Sequence, residues 1–150
     1  MANWSDIGHW DALRDGTQCP ICTSGAPKDV AAQLKATWVT VPEVAPLPGY
    51  ACIVSKRHVV EPFELPVDER QEFWEDALSV AALVEKEYQP IKLNYEIHGN
   101  SIPHLHLHVL PRFRGDPFEN GPIDFRIARR RSDSELGRMR TMLQRLVRER

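Results

Sequence analysis

The chain has 150 residues, 27% of them charged, and a formal net charge of −2 at pH 7. This length predicts one domain over residues 1–150, large enough to bury a core without disulfides. The charge balance argues against a polycation for nucleic acid and against an acidic disordered chain. No apolar run approaches a membrane span, and the first residues lack the basic-then-apolar order of a signal peptide, so we expect a cytoplasmic protein with no membrane partner.

The first third of the chain predicts short elements. Residues 5–15 carry apolar side chains at helical spacing, which predicts a helix within a lead-in segment of residues 1–18. Residues 28–35 favour another short helix. The β-rich runs at residues 37–41 and 50–56 predict two strands, and the proline-rich stretch between them predicts a loop.

The clearest helix prediction covers residues 68–88. Asp68 and Gln71 match a capping-box pattern, and the apolar residues at 74, 77, 78, 81 and 84 form one stripe. Residues 91–97 then alternate apolar and polar side chains, which predicts a half-buried strand. The turn residues 99–101 predict that this strand pairs antiparallel with the segment that follows.

That following segment reads "HLHLHVLPR" and contains three of the six histidines of the chain. In an extended strand alternate side chains share a face, so His104, His106 and His108 should lie together, close enough to share a phosphate, a proton or a metal ion. A structural interpretation is that they are ordinary polar residues opposite a packed face. A purely catalytic metal site would require further ligands, usually carboxylates, and the strand contains none. Nucleophilic catalysis on phosphorus is the third interpretation.

The last segment differs in composition, because residues 123–150 hold nine arginines against four acidic residues. The sequence "SDSE" at 132–135 predicts a capped helix with an apolar face. We interpret this segment as a packed amphipathic helix with a solvated basic face. The alternative is an arm that contacts nucleic acid, but the segment lacks the interleaved aromatic residues of a single-strand binder, so nucleic acid is not the expected partner.

Two of the three cysteines form the motif "CPIC" at Cys19 and Cys22. In a reducing compartment such a pair indicates metal or redox chemistry before it indicates a disulfide. One Cys-x-x-Cys pair supplies only half of a tetrahedral zinc site, so two more ligands would be required. Cys52 lies in an apolar run and is expected to be a buried small apolar residue.

The segment "HLHLHVL" has the form His-φ-His-φ-His-φ-φ, where φ is apolar, and it resembles the signature of the histidine triad (HIT) superfamily of nucleotide hydrolases and transferases. Upstream, "GNSIPH" and "PGYACIVSKRHVVEPFEL" resemble the lead-in and the earlier strand of that family. "LPRF" resembles the bacterial HIT and dinucleoside polyphosphate hydrolase branches. The resemblance covers about residues 19–115 and leaves outside it the helical lead-in and the arginine-rich helical extension of residues 123–150.

The resemblance implies an α+β, HIT-like fold: an antiparallel sheet, one long packed helix, a short C-terminal helix and a homodimer. It also implies an enzyme in which His106 attacks the α-phosphorus of a nucleotide and forms a covalent nucleotidyl-histidine. The catalytic set that the resemblance implies is His104, His106, His108 and Ser101. In this set His108 would donate to the phosphate oxygens, and the Ser101 hydroxyl would assist the leaving group. The attack itself requires no catalytic metal.

The leading substrate implied by the resemblance is a dinucleoside polyphosphate. A nucleoside phosphoramidate and an adenylyl sulfate are the alternatives, and a different class is a nucleotide-binding regulatory module whose basic tail contacts nucleic acid. Asn94 and Asn100 compete for the position of the family's substrate-binding amide. Many members hold the ribose with an aspartate where this chain has Pro42. Either the adjacent Glu43 takes that role here, or the ribose is held differently.

Zinc-containing members of the family imply a structural zinc ion bound by Cys19, Cys22, His58 and His104. The alternative is two ordinary thiols, with His58 hydrogen-bonded to His104. His9 and His98 are interpreted as surface or turn residues.

Overall fold

The computed structural model describes residues 4–150 and contains a five-stranded antiparallel sheet with the order β1-β2-β4-β6-β5. The pairing of β5 with β6 confirms the predicted antiparallel pair. The strands are β1 (Val30–Gln33), β2 (Thr37–Thr40), β4 (Ala51–Ser55), β5 (Lys92–Glu96) and β6 (His106–Arg112), and the short strands β3 (Val44–Ala45) and β7 (Arg129–Arg130) pair separately.

The two faces of the sheet carry chemically different side chains at strand β6. Leu105, Leu107 and Val109 are buried in the main apolar core. Their neighbours His106 and His108 point to the opposite face, as the period of two in a strand requires. The first triad histidine, His104, lies just before β6 rather than within it.

Two long helices cover the core face of the sheet. Helix α3 (Val67–Tyr88) confirms the predicted helix but begins after Pro66, so Asp68 lies in the first turn and the predicted capping box is wrong. The predicted stripe is also partly wrong, because Trp74 and Leu78 are 36% and 50% exposed. Ala77, Ala81 and Val84 are buried as predicted, and Phe73 and Val80 take the places of Trp74 and Leu78 on the buried face.

Helix α4 (Asp133–Glu149) begins as predicted, because the Ser132 hydroxyl accepts a hydrogen bond from the Glu135 amide at 3.1 Å. Leu136, Met139 and Leu143 are buried against the core, which confirms an amphipathic helix. In the part of the chain that the structure describes, none of the helices has the length and apolar content needed to cross a membrane.

Three local predictions are corrected. Residues 28–35 contain strand β1, not a helix, because Val30–Gln33 pairs with β2. The loop predicted between β2 and β4 contains β3, which pairs with β7 near the C-terminus. The apolar side chains of residues 91–97 are mostly exposed, with Tyr95 47% exposed, because β5 is the last strand of the sheet.

Two short helices precede the sheet, α1 (Ile7–Arg14) and α2 (Pro20–Ser24). Cys52 is buried, as expected. Helix α1 confirms the predicted N-terminal helix. On the sheet face that carries His106 and His108, a second apolar cluster contains Tyr50, Cys52, Phe118 and Ile123. This cluster brings the segment after β6 back over the end of the histidine strand.

Candidate active site and metal centre

His106 is held in one tautomer by its own strand. Its Nδ1 atom lies 2.6 Å from the carbonyl oxygen of His104. Because a carbonyl oxygen can only accept, Nδ1 carries the proton and Nε2 keeps its lone pair. Burial lowers the pKa of His106, so the ring is neutral near pH 7. A neutral imidazole with a free Nε2 atom is a nucleophile.

His108 is the neighbouring imidazole, with its ring centroid 4.9 Å from that of His106. The hydroxyl of Tyr50 lies 2.8 Å from its Nδ1 atom. Burial is the main cause that lowers the pKa of His108 to about 3, and repulsion by His106 and His98 adds to it. Burial also raises the pKa of Tyr50, so the phenol keeps its proton.

Tyr50 is itself held from the C-terminal segment. The guanidinium of Arg131 donates to the carbonyl oxygen of Tyr50 at 2.6 Å and lies 5.4 Å from the centre of its ring. Arg131 is only 3% exposed. The residue that orients His108 is therefore fixed at its main chain and at its ring.

His104 does not join the other two imidazoles but faces Cys19, Cys22 and His58. The four potential ligand atoms all lie within 4.8 Å of one another. The Nδ1 atom of His104 lies 3.5 Å from Cys19 Sγ and 3.1 Å from His58 Nδ1, and Cys22 Sγ lies 3.3 Å from His58 Nδ1. These separations suit the edges of a tetrahedron with Zn–S bonds of about 2.3 Å and Zn–N bonds of about 2.1 Å.

The hydrogen bonds of the two histidines provide an independent test of this cluster. His58 Nε2 lies 2.8 Å from the carbonyl oxygen of Arg14, and His104 Nε2 lies 2.7 Å from that of Ser55. Each Nε2 atom therefore donates, and each Nδ1 atom presents a lone pair. Two imidazole lone pairs and two cysteine sulfurs that converge on one point form the donor set that zinc prefers, so the residues fit a metal ion.

The remaining predicted site residues lie in three different places. Ser101 and Asn100 line a cavity of about 320 Å³ together with His106 and His108. Asn94 pairs with Leu110 and lines a different cavity, beside Arg112. The Glu43 carboxylate forms an ion pair with Arg130 at 3.0 Å. The structure therefore brings Asn100, but not Asn94, into the cavity of the triad.

Sequence reasoning missed three residues around this cavity: Tyr50, His98 and Phe125. His98 is exposed, as expected for a turn residue, but its ring centroid lies 5.5 Å from that of His108. Tyr50 could have been found. Cys52 pairs with His108, and alternate residues of a strand share a face, so Tyr50 lies on the same face as Cys52 and His108. No local pattern marks Phe125.

Two larger cavities lie elsewhere, and neither contains His106 or His108. One, of about 560 Å³, lies beside the start of α3 and is lined by side chains of two ion pairs, Lys35–Glu72 and Arg57–Glu69. The other lies beside α1 and His58. Size alone therefore does not identify the site, whereas the arrangement of the imidazoles does.

Comparison with known proteins agrees with this arrangement. The chain is 28% identical over 76 residues to "Protein hit" of Bacillus subtilis (strain 168), covering 47% of this chain and 52% of the relative. It is 30% identical over 82 residues to the bifunctional bis(5′-adenosyl)-triphosphatase/adenylylsulfatase FHIT of Arabidopsis thaliana, covering 51% and 46%. The chain thus spans about half the length of the curated relatives that it matches.

Solved structures share the fold. A histidine triad protein from Bradyrhizobium japonicum superposes with a TM-score of 0.72 at 22% identity, covering 79% of this chain and 89% of that one. A Zn-bound histidine triad family protein from Mycobacterium smegmatis gives 0.63 at 22% identity, covering 89% and 96%. The model of the HIT domain matches residues 24–115, more than half of the chain, and the protein therefore belongs to the HIT domain family.

Proposed function

We propose that this protein is a nucleotide hydrolase or transferase that acts at an α-phosphate through a covalent nucleotidyl-His106 intermediate. The observation that carries the proposal is the 2.6 Å hydrogen bond from His106 Nδ1 to the His104 carbonyl, which leaves Nε2 free to attack. Family membership supports the same reaction class. Nε2 forms a bond to phosphorus as the leaving group departs, and water then displaces the histidine.

The neighbouring residues have separate roles in this proposal. In this proposal the Tyr50 phenol, whose oxygen lies 2.8 Å from His108 Nδ1, donates to that atom, so that His108 carries its proton on Nε2 and donates it to a phosphoryl oxygen. The Ser101 hydroxyl, on the rim of the same cavity, assists the leaving group. Asn100 is the candidate substrate amide, because it shares this cavity with the nucleophile.

Dinucleoside polyphosphates are the leading substrate class. The support comes from the printed names of two relatives, the Arabidopsis protein and the bis(5′-adenosyl)-triphosphatase of Dictyostelium discoideum, which is 29% identical over 79 residues. A nucleoside phosphoramidate is the second candidate, with an adenylyl sulfate related to it. The phosphoramidate is favoured by the composition of the cavity beside His106. Its lining contains neither lysine nor arginine, the residues that would neutralise the negative charge of a polyphosphate.

We also propose a structural zinc ion on Cys19, Cys22, His58 and His104. A closed set of four protein ligands leaves no position for substrate, so the ion would fix the α1–α2 segment to the start of β6. Support comes from the facing Nδ1 atoms and from the Zn-bound neighbour. No catalytic step is assigned to the metal.

A homodimer is proposed from the free edge of the sheet. Strand β5 pairs only with β6 among the described strands, and Ile91, Tyr95 and Ile97 are exposed beside it. An unpaired edge with apolar side chains favours pairing with a second copy of the same chain.

The experiment that tests the reaction is rapid-quench intact-protein mass spectrometry. The protein is mixed with diadenosine triphosphate or adenosine 5′-phosphoramidate and quenched with denaturant after milliseconds to seconds. We expect an adenylyl adduct in the wild type and none in His106→Asn, which preserves a polar side chain of similar size. Substrate binding without adduct or turnover would instead support the nucleotide-binding module.

A further inference from the structure

Arg131 is a buried cation that lies outside residues 24–115, the part of the chain matched by the HIT domain model. Its Nη2 atom donates to the Tyr50 carbonyl, and its Nε atom lies 3.9 Å from the Glu135 carboxylate. Nε and Nη1 have no acceptor within hydrogen-bonding distance among the described residues. A buried guanidinium of this kind adds little net stability, because its desolvation offsets most of what its contacts gain. What distinguishes Arg131 is therefore the geometry that it fixes.

Arg131 holds Tyr50 from two directions at once. The hydrogen bond restrains the main chain of Tyr50 immediately before β4, and the guanidinium carbon lies 5.4 Å from the centre of the phenol ring. Arg131 is fixed in turn, because its amide donates to the Glu43 carbonyl at 2.8 Å and the next residue, Ser132, caps α4. The ring of Tyr50 is thus placed by the junction between β7 and α4.

The hydroxyl of Tyr50 faces the active site, 2.8 Å from His108 Nδ1. A phenol can donate to an imidazole nitrogen or accept from it, and the direction decides which nitrogen of His108 carries the proton. Burial raises the pKa of Tyr50, and the positive charge of Arg131 acts in the opposite direction. A cation beside the ring therefore makes the O–H group a better donor, which favours His108 with its proton on Nε2.

We propose that Arg131 is a positioning residue of the active site: by holding Tyr50, it keeps the proton of His108 on Nε2, where it faces the transferred phosphoryl group. This inference rests on the proposed attack by His106. Arg131 touches no substrate and transfers no proton, so its whole effect passes through Tyr50. The catalytic unit of this protein then extends into the arginine-rich segment of residues 123–150.

Arg138 provides a matched comparison within the same segment. Its guanidinium lies 4.9 Å from the centre of the Tyr88 ring and donates to the Glu87 carbonyl at 2.6 Å. These are the same two kinds of contact that Arg131 makes. Neither Arg138 nor Tyr88 lines the cavity that contains His106. Arg138→Met therefore measures the general effect of losing such contacts.

The first test measures turnover of adenosine 5′-phosphoramidate and of diadenosine triphosphate. We expect Arg131→Met to lower kcat about fivefold for both substrates, the effect of one lost hydrogen bond, with a smaller change in KM. The two substrates should respond alike, because His108 faces the phosphoryl group that they share. Arg131→Lys keeps the charge and a donor, so its kcat should lie between those of Arg131→Met and the wild type. Arg138→Met should change kcat less than about twofold.

The second test asks whether Arg131 acts through the Tyr50 hydroxyl. In a Tyr50→Phe background that hydroxyl is already absent, so adding Arg131→Met should lower kcat by less than about twofold further. Imidazole ¹⁵N NMR without substrate should show that Arg131→Met and Tyr50→Phe shift the tautomer ratio of His108 in the same direction. Arg138→Met should leave that ratio unchanged.

Three results would overturn the proposal: effects of Arg131→Met and Tyr50→Phe that multiply, an unchanged kcat in Arg131→Met, or an unchanged tautomer ratio of His108. If Arg131→Met does not fold, Arg131→Lys decides, since its loss of kcat should likewise vanish in the Tyr50→Phe background. Failure of the underlying reaction is recognised separately. Turnover that persists in His106→Asn would remove the nucleophile, whereas the His108 tautomer ratio is measured without any reaction.

Discussion

The Nδ1 atoms of His58 and His104 lie 3.1 Å apart, and the other nitrogen of each ring donates to a backbone carbonyl. Two nitrogen lone pairs therefore face each other beside the two cysteines, and the first prediction is that this cluster binds zinc. Native mass spectrometry should find one zinc ion per chain. Removing it with a chelator should lower the free energy of unfolding by about 3–4 kcal/mol, the stabilisation expected for a ligand held well above its dissociation constant.

The matched variants for this prediction are Cys22→Ser and His9→Gln. Cys22→Ser removes one proposed ligand and should abolish stoichiometric zinc binding. His9 lies outside the cluster and bonds to Gln18, so His9→Gln should keep the metal. Equal zinc content in the two variants would contradict the assigned ligand set.

The second prediction concerns the hydrogen bond between Tyr50 and His108. Tyr50→Phe removes the hydroxyl but keeps the ring, so His108 Nδ1 loses its partner and the ring is free to change tautomer. We expect kcat to fall about tenfold, the effect of one lost hydrogen bond in the transition state, with a smaller change in KM. Imidazole ¹⁵N NMR should show a changed tautomer ratio for His108, whereas the exposed Tyr95→Phe should show neither effect.

The third prediction is a dependence of stability on pH. The pKa of His108 is lowered to about 3 in the folded protein, against about 6.5 in an unfolded chain. The unfolded chain therefore binds the proton more tightly, and stability is lost as the pH falls from about 6.5 towards 3. Urea unfolding at pH 7.5 and 5.0 should show a loss about 1–2 kcal/mol larger in the wild type than in His108→Asn. Identical losses would mean that His108 titrates normally.

The fourth prediction concerns the edge strand β5. Tyr95→Asp places a charge at the exposed edge and should convert a dimer into a monomer in size-exclusion chromatography with light scattering. Val147→Asp is the control, because Val147 is exposed on α4, which packs near β1 at the other end of the sheet. A wild type that is monomeric at all concentrations tested would refute the proposed dimer.

Much of the sheet and its long helix could be predicted, because their signals are local. The alternation in "HLHLHVL" fixed which residues enter the core, and the helical period predicted α3 to within one residue of its start. The helix face was less accurate because Trp74 and Leu78 are apolar but 36% and 50% exposed. The periodicity of a sequence shows which side chains are apolar. It does not show how many of them the neighbouring elements can bury.

The contacts that complete the site are long-range and could not be predicted. Phe125 reaches Tyr50, and Arg131 reaches the main chain of the same residue across 81 positions. The pairing of β3 with β7 involves only two residues in each strand, which is too short for a recognisable pattern. The four candidate metal ligands were proposed from the resemblance together with the Cys-x-x-Cys spacing, since their histidines come from two other segments.

His104 takes part in both centres through different atoms. Its ring belongs to the candidate metal cluster, whereas its carbonyl oxygen fixes the proton on the proposed nucleophile. The His104 ring is engaged at both nitrogens, by the Ser55 carbonyl at Nε2 and by the cluster at Nδ1, which restrains the position of its main chain as well. The position of the His104 ring thus also sets the direction in which the Nε2 lone pair of His106 points. Alignment of the nucleophile therefore depends on how well the His104 side chain is held in the metal cluster.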